Sequence, residues 1–288
     1  MLKRRTVGDV IADIIIYLFL ATAAIATVIP FVYVIAASFA SEHEILTRPL
    51  FIIPREPTLE AYIRIFGREY GMTVLRSLGS SIFITLVGTI TNLFFTTTMA
   101  YALAKPIKGR NVILNCVLFT MVFSGGMIPL FIVVKSLGMY NSYAALILPG
   151  AISAYNMIIV KNFFQQLPAG LEEAASIDGC SDLGIFWKIA LPLSLPMLAT
   201  FGLFYAVGHW NNYFGALLYL EDAKKYPFQL VLRNLVMLEQ TAQDPDDLVP
   251  QETLKMAMIV VGTVPILCVY PFLQKHFAAG VMVGAIKG

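Results

Sequence analysis

The sequence predicts an all-α membrane protein with six transmembrane helices, and composition is the first reason. Apolar residues make up 58% of the 288 positions and charged residues only 13%, a balance outside the usual range of soluble domains. The second reason is that six stretches contain no Asp, Glu, Lys or Arg. Each is long enough to cross the ~30 Å hydrocarbon core of a bilayer as a helix. The expected spans are residues 14–41, 77–104, 111–134, 136–160, 189–220 and 256–274.

The first of these spans is expected to be a retained helix. It is too long for the apolar core of a signal peptide, and no small-residue cleavage site follows it. The chain also shows no internal repeat, low-complexity tract or second domain. We therefore expect one transmembrane domain over residues 1–288.

The basic residues indicate the orientation only through local clusters, because Lys and Arg are evenly divided between the two sides. The cluster Lys3-Arg4-Arg5 and the short basic loop 105–110 favour a cytoplasmic N-terminus. That topology would place the loop 161–192 and the C-terminus in the cytoplasm. The segments 42–76 and 221–254 would lie outside. We expect short interfacial helices in the first, and in the second a partly ordered acidic loop, either a solvated connection or a contact for an extracytoplasmic protein.

Cysteine and histidine usage predicts neither disulfides nor a metal site. The three cysteines and three histidines are widely separated and follow no metal-ligand spacing. They are Cys116, Cys180, Cys268, His43, His209 and His276. No nucleophile, base or metal cluster falls within the spans either, so the sequence does not favour an enzyme.

The loop 161–192 is expected to form a helix–turn–helix. Pro168 suits the start of a helix, and Glu172 and Glu173 lie near that start, where the helix dipole favours negative charge. Gly179 can end the helix in a left-handed conformation, and Ser181 can cap a second short helix. With Ala174 and Ala175, Gly179 gives the tip small side chains that the groove of a partner could enclose. The alternative is an ordinary amphipathic loop.

The second short helix carries an apolar stripe. Its apolar residues recur at i, i+3, i+4 and i+7, so they should face the membrane interface or the neighbouring spans. They are Leu183, Phe186, Trp187 and Ala190. Leu191-Pro192 would then turn the chain into the next span.

The same loop matches the pattern E-A-A-x3-G-x9-I-x-L-P from Glu173 to Pro192, and here the chain resembles the carbohydrate-uptake (maltose-type) branch of ABC importer permeases. The ending 274–288 resembles the Q-x-x-F-x-x-G-x-x-x-G-x-x-K-G ending of that family. Further similar segments are 128–130, 137–142, 167–171, 210–213 and Pro265. The resemblance extends from about residue 70 to the end of the chain, and residues 1–69 carry no diagnostic motif.

The resemblance implies a type I importer permease with its EAA coupling helix in the cytoplasm between spans four and five. Such a chain is a non-catalytic subunit of an ATP-driven, binding-protein-dependent oligosaccharide importer in the bacterial inner membrane. No G-x-x-x-x-G-K-[ST] phosphate loop occurs in the sequence. The chain would therefore bind no cofactor itself, and ATP and Mg would lie on two partner ATPase subunits. A second permease, in a heterodimer, and an extracytoplasmic substrate-binding protein complete the implied assembly.

The resemblance also implies roles for particular residues. Those expected to couple to the ATPase are Glu172, Glu173, Ala174, Ala175, Asp178, Gly179, Ile189, Leu191 and Pro192. An extended C-terminal tail would reach the ATPase dimer, and a frayed terminus is the alternative. The tail residues concerned are Gly280, Gly284, Lys287 and Gly288.

A third set of polar residues is expected to line the sugar path, because sugars need amide hydrogen bonds and aromatic faces. These residues are Asn156, His209, Trp210, Asn211, Asn212 and Tyr213. The alternative for each is an interhelical hydrogen bond, the interpretation favoured for Asn92.

Two other classes of membrane protein are alternatives to an importer permease. An ion-coupled secondary transporter or channel would need no ATPase partner, but such proteins usually place ionisable groups in their spans. The spans here offer only His209. A membrane-embedded enzyme would need a nucleophile, a base or a metal cluster within the spans, and the sequence contains no such set there.

Overall fold

The structure is a computed structural model that describes residues 7–48, 50–68, 70–241 and 252–285. Within these ranges all regular secondary structure is helical, as the sequence predicts. The helices are α1 Val7–Ser38, α2 Glu42–Thr47, α3 Glu60–Phe66, α4 Gly71–Ala104, α5 Arg110–Val122, α6 Met127–Ser136, α7 Ala144–Ile147, α8 Ala154–Phe164, α9 Ala169–Ile177, α10 Asp182–Ile185, α11 Leu191–Leu193, α12 Leu195–Trp210, α13 Tyr213–Tyr219, α14 Phe228–Thr241 and α15 Glu252–Ala285. A π-helical turn spans Phe186–Ala190, and a 3₁₀ turn spans Ala223–Lys225.

Three segments of the described chain are each long and apolar enough to cross a membrane as one helix. They are Gly8–Ser38, Gly71–Ala104 and Glu252–Val269. They coincide with the first, second and sixth expected spans. Composition identifies these spans well because nothing within them interrupts the helix.

The third and fifth expected spans are bent. α5 and α6 meet at 119° across residues 123–126, where Gly126 has φ +85°. The segment Asp182–Leu193 meets α12 at 82° around Ser194. If each bent pair forms one span, the described residues contain five. A charge-free stretch indicates how many residues can lie in the membrane, but not the direction of the backbone. The sequence therefore did not predict these bends.

The fourth expected span, 136–160, is not one continuous helix in the structure. The four-residue α7 and the eleven-residue α8 are separated by residues 148–153, which include Pro149-Gly150. Proline and glycine both interrupt helices. The count of six spans and the single domain over 1–288 stay predictions.

The described chain falls into two compact units. The first comprises residues up to Met72 together with Asn234–Val264. Its expected short helices are present as α2 and α3, and a small core forms where Ala37 and Ala40 pack with Phe51. In the same unit the carboxylate of Glu42 accepts hydrogen bonds from the backbone N–H groups of Glu252 and Thr253, at 3.0 and 3.3 Å.

The second unit comprises Thr73–Arg233 together with the chain from Pro265 onward. Its main core brings α4, α8, α12 and the π-helical turn together around buried residues. Among them are Leu103, Met157, Val160, Phe186 and Phe201. This core supports the loop that carries α9 and α10.

Part of the second external segment is helical, although a partly ordered loop was expected over 221–254. α14 begins at Phe228 and extends to Thr241. The backbone N–H of Phe228 donates to the Ser81 hydroxyl at 2.8 Å, which fixes the start of this helix. The acidic part of the segment, 244–247, lies outside the described residues.

Candidate functional site

Helix α9 and the turn after it have the geometry that the sequence predicts. α9 begins directly after Pro168, carries Glu172 in its first turn and ends at Ile177. Gly179 has φ +80°, the left-handed conformation that ends helices. The N–H of Cys180 reaches back to the carbonyl of Ala175 at 2.9 Å, which closes the turn.

Helix α10 is capped as expected, but the apolar stripe is divided. The Ser181 hydroxyl accepts the N–H of Gly184 at 3.3 Å. Phe186 and Ala190 are buried, whereas Leu183 and Trp187 are 72% and 54% exposed. The stripe was predicted from 3.6 residues per turn, and the π-helical turn, which closes i→i+5 bonds, changes that period. Phe186 and Ala190 therefore pack against neighbouring helices, whereas contact of Leu183 and Trp187 with the membrane interface stays a prediction.

The two adjacent glutamates of α9 have different environments. Glu172 is half-buried and forms an ion pair with Lys105, and its other oxygen accepts the hydroxyl of Tyr101 at 3.1 Å. Glu173 is exposed. Of the two glutamates, Glu173 is therefore the one that solvent and a partner can reach.

The Lys105–Glu172 pair rests on an aromatic cluster. The Lys105 ammonium lies 4.8 Å from the centre of the Tyr101 ring. That ring packs against Phe164 at 5.4 Å and Phe186 at 5.0 Å. Burial lowers the pKa of Lys105 from its usual value, and the negative charge of Asp182 on α10 opposes part of this shift. One cation thus faces carboxylates from both short helices of the loop.

A cavity of about 830 Å³ lies between the end of α4 and the helices α9 and α10. Three carboxylates line it together with the Lys105 ammonium, and the exposed Ile177 and Leu183 give it an apolar wall. The carboxylates belong to Glu172, Glu173 and Asp182.

The other predicted coupling residues are distributed along the same loop. Ala175 is buried, whereas Ala174, Asp178, Gly179 and Pro192 are exposed and Ile189 and Leu191 are half-buried. Tyr101 and Lys105 were not predicted to belong to the site. Their spacing of four residues at the end of an apolar run was the available signal, because it places both on one helix face.

The predicted sugar-path residues are divided between packing and helix ends. Nε2 of His209 lies 2.6 Å from Oδ1 of Asn92, whose amide nitrogen donates to the carbonyl of Gly150 at 2.5 Å. The interhelical hydrogen bond expected for Asn92 is confirmed, and His209 is its partner. Trp210 is buried beside a cavity of about 180 Å³ in which the only polar lining residue described is Thr85.

Asn211, Asn212 and Tyr213 lie where α12 ends and α13 begins. The Asn211 amide donates to the Val207 carbonyl at 3.0 Å, and Asn212 accepts the N–H of Gly215 at 2.9 Å to cap α13. Tyr213 is exposed. Asn156 lies in the first turn of α8, where its N–H donates to Ser153 at 3.3 Å. A role for these residues in the sugar path stays a prediction.

The C-terminal segment is helical, not extended, as far as the structure describes it. α15 continues through Gly280 and Gly284 to Ala285. An existing helix propagates without a new nucleation cost, which offsets the low helix propensity of glycine. Lys287 and Gly288 lie outside the described residues. Contact between this segment and an ATPase stays a prediction.

A family model described as the binding-protein-dependent transport system inner membrane component matches residues 2–283. The chain belongs to this family. It is therefore a multi-pass inner membrane permease component, which confirms the resemblance found in the sequence. Such components are non-catalytic, as expected.

Curated relatives align with nearly the whole permease. Protein LplC of Bacillus subtilis is 56% identical over 282 residues, covering 96% of this chain and 95% of LplC. The polygalacturonan/rhamnogalacturonan transport system permease protein YtcP of the same organism is 50% identical, covering 96% and 98%.

A solved structure shares the fold of the permease. It is the crystal structure of a bacterial ABC transporter involved in the import of the acidic polysaccharide alginate. The matched chain is 32% identical with a TM-score of 0.87, covering 95% of this chain and 99% of that one.

Proposed function

We propose that this permease forms half of the translocation path of an ATP-driven oligosaccharide importer, and that its 161–192 loop couples to a cytoplasmic ATPase subunit. The observation that carries the proposal is the pair of adjacent glutamates. Glu172 is engaged within the chain, while Glu173 is exposed on α9 just before the left-handed turn at Gly179. An exposed carboxylate can accept charge-assisted hydrogen bonds from an Arg or Lys of a partner.

The proposed assembly contains a second permease, in a heterodimer, two ATPase subunits that bind ATP and Mg, and an extracytoplasmic substrate-binding protein. Both termini of the permease are cytoplasmic in this arrangement, because the coupling loop and the ATPase must lie on the same side of the membrane. The C-terminal segment from Gly280 onward is proposed to contact the ATPase dimer.

The proposed substrate class is oligosaccharides released from acidic polysaccharides. Support comes from YtcP, named for polygalacturonan and rhamnogalacturonan transport, and from the solved alginate importer. Uptake of a polygalacturonan digest, compared with uptake of neutral arabino- and galacto-oligosaccharides, tests this class. Transport of the neutral sugars alone would contradict it.

Charge reversal on α9 tests the coupling role. Glu173→Lys should leave the permease inserted and abolish uptake, because the exposed carboxylate is replaced by a cation. Glu221→Lys is the matched control, since Glu221 is also exposed but lies on the opposite side in the proposed topology. Normal uptake in the Glu173 variant would refute the docking role. A purified complex that lacks an ATPase subunit and still transports would favour the ion-coupled alternative.

A further inference from the structure

The coupling loop is tied to the end of a long helix by side chains that the family pattern does not include. Lys105 follows Ala104, the last residue of the 34-residue helix α4. It forms its ion pair with Glu172, the residue before the E-A-A pattern, while Tyr101 of the same helix donates its hydroxyl to the other oxygen of that carboxylate. Tyr101 in the last turn of α4 and Lys105 directly after that helix therefore hold one residue of α9.

Helix α4 is also joined to α12, farther along its length. The Thr96 and Tyr205 hydroxyls are 2.8 Å apart, and Asn92 bonds to His209 at 2.6 Å. From Asn92 to Lys105 is about 20 Å along a continuous helix. α12 ends at Trp210, next to the proposed sugar path. A physically connected route therefore runs from α9 through α4 to this end of α12.

The covalent route between the same places is interrupted. From α9 the chain passes the turn at Gly179, the π-helical turn 186–190 and the 82° bend around Ser194 before it enters α12. Each of these breaks the regular hydrogen-bond ladder of an α-helix, and π-helical turns in particular recur at functional sites. α4 is a single helix over the corresponding distance. The route through Lys105 is therefore the stiffer one.

We propose that Lys105 is a positioning residue that transmits movement of α9 to α4 by holding Glu172. While the ion pair is intact, α9 and the end of α4 move together, and α4 carries the displacement to α12. Glu173, one residue further on, is exposed and available to the ATPase subunit. The inference rests on the proposed function, because it requires that an ATPase subunit moves α9.

The test uses the complete complex of permeases, ATPase and binding protein in liposomes. The variants are Lys105→Met, which keeps the length of the side chain and removes its charge, and Glu172→Gln. The control is Lys108→Met, since Lys108 is exposed in the same loop. The readout is uptake per ATP hydrolysed, normalised to assembled complex, with binding protein loaded from a polygalacturonan digest.

Either variant should lower this ratio about fivefold or more, the lower end for coupling between sites. The double variant should lower the ratio no further than either single variant does, because each of the three proteins lacks the same ion pair. Lys105→Arg should retain the wild-type ratio, as should Lys108→Met. A purely structural role would lower the yield or thermal stability of the complex and leave the ratio per assembled complex unchanged, which would overturn the inference.

Different results would overturn the proposed function and the transmission role of Lys105. A wild-type complex without bound ATPase subunits would overturn the proposed function. A wild-type complex that couples hydrolysis to uptake, with the same ratio in Lys105→Met, would overturn the transmission role alone.

Discussion

Asn92 of α4 and His209 of α12 are joined by a 2.6 Å hydrogen bond between Oδ1 and Nε2. The imidazole also lies directly against Gly88, one turn earlier on α4. A Cβ built at Gly88 would be 2.5–2.7 Å from three atoms of the His209 ring. The bond therefore depends on a close approach of two helices that only glycine permits at this position.

The first prediction concerns this close approach. Gly88→Ala should destabilise the protein by about 1–3 kcal/mol, because a methyl group is forced into a well-packed interface. The matched control is Gly79→Ala on the same helix, where an added Cβ meets nothing within 4 Å. That change should be neutral or stabilising by roughly 0.5–1 kcal/mol, since alanine is the better helix former. Thermal unfolding in detergent measures both, and equal stability of the two variants would contradict the interpretation.

The second prediction concerns the turn after α9. Gly179 has φ +80°, a left-handed conformation that is unfavourable for a residue with a Cβ. Gly179→Ala should therefore lower the free energy of unfolding by about 1–2 kcal/mol. Gly170→Ala on α9 is the control, because its backbone is not left-handed and an added Cβ there has open space. The measurements are thermal stability and uptake. A Gly179→Ala protein that unfolds at the same temperature as Gly170→Ala would show that the turn carries no strain.

The third prediction separates packing from substrate contact in the fifth expected span. Trp210 is 5% exposed, so Trp210→Ala should lower thermal stability by about 3–5 kcal/mol. Asn211 is exposed, and Asn211→Ala should leave stability nearly unchanged while altering the rate of uptake or the range of sugars accepted. Uptake per folded complex decides the matter. If neither variant changes it, Trp210 serves packing, Asn211 serves the end of α12, and neither lines the sugar path.

The fourth prediction is a pH dependence at Glu44. Burial acts to raise its pKa, but hydrogen bonds from the backbone N–H groups of Arg55 and Glu56 and the charge of Arg48 lower it overall. A carboxyl group whose pKa is lowered by folding stabilises the protein at pH values above its unfolded-state pKa. That stabilisation is lost as the pH falls through the folded-state pKa. Glu44→Gln should therefore reduce stability at neutral pH and flatten the acid side of the profile.

Thermal unfolding between neutral pH and about pH 3 checks this prediction. Glu60→Gln, which removes an exposed carboxylate from α3, is the control and should keep the wild-type profile. A Glu44→Gln profile parallel to that of the wild type would contradict the argument.

The sequence predicted local features whose causes are local. The helix end at Gly179 and the cap at Ser181 follow from the conformations of single residues, and both are present. The apolar runs of α1, α4 and α15 were found from composition because a long uninterrupted run is a strong signal. Gly125-Gly126 and Pro149-Gly150 interrupt helices without adding a charge, so the charge-free stretches alone do not predict these breaks.

What the sequence could not predict depends on distant partners. Nothing local distinguishes Glu172 from Glu173, and the difference between them comes from Lys105, 67 residues earlier. Among Asp, Glu, Lys, Arg and His, only His209 occurs in the six stretches expected to span the membrane, and its partner Asn92 is 117 residues away. The division of the apolar stripe arises from the π-helical turn, which no spacing rule based on regular helices anticipates.

The carboxylate of Glu42 caps the first residues of α15, so two parts of the chain 210 positions apart complete one structural unit. This imposes an order on biosynthesis. The ribosome makes Glu42 long before Glu252 and Thr253, so the first unit stays incomplete until α15 is made, while residues 73–233 of the second unit can already pack. A chain truncated before residue 252 would leave this carboxylate without its helix, and a membrane protease that recognises incomplete units would have a feature to act on.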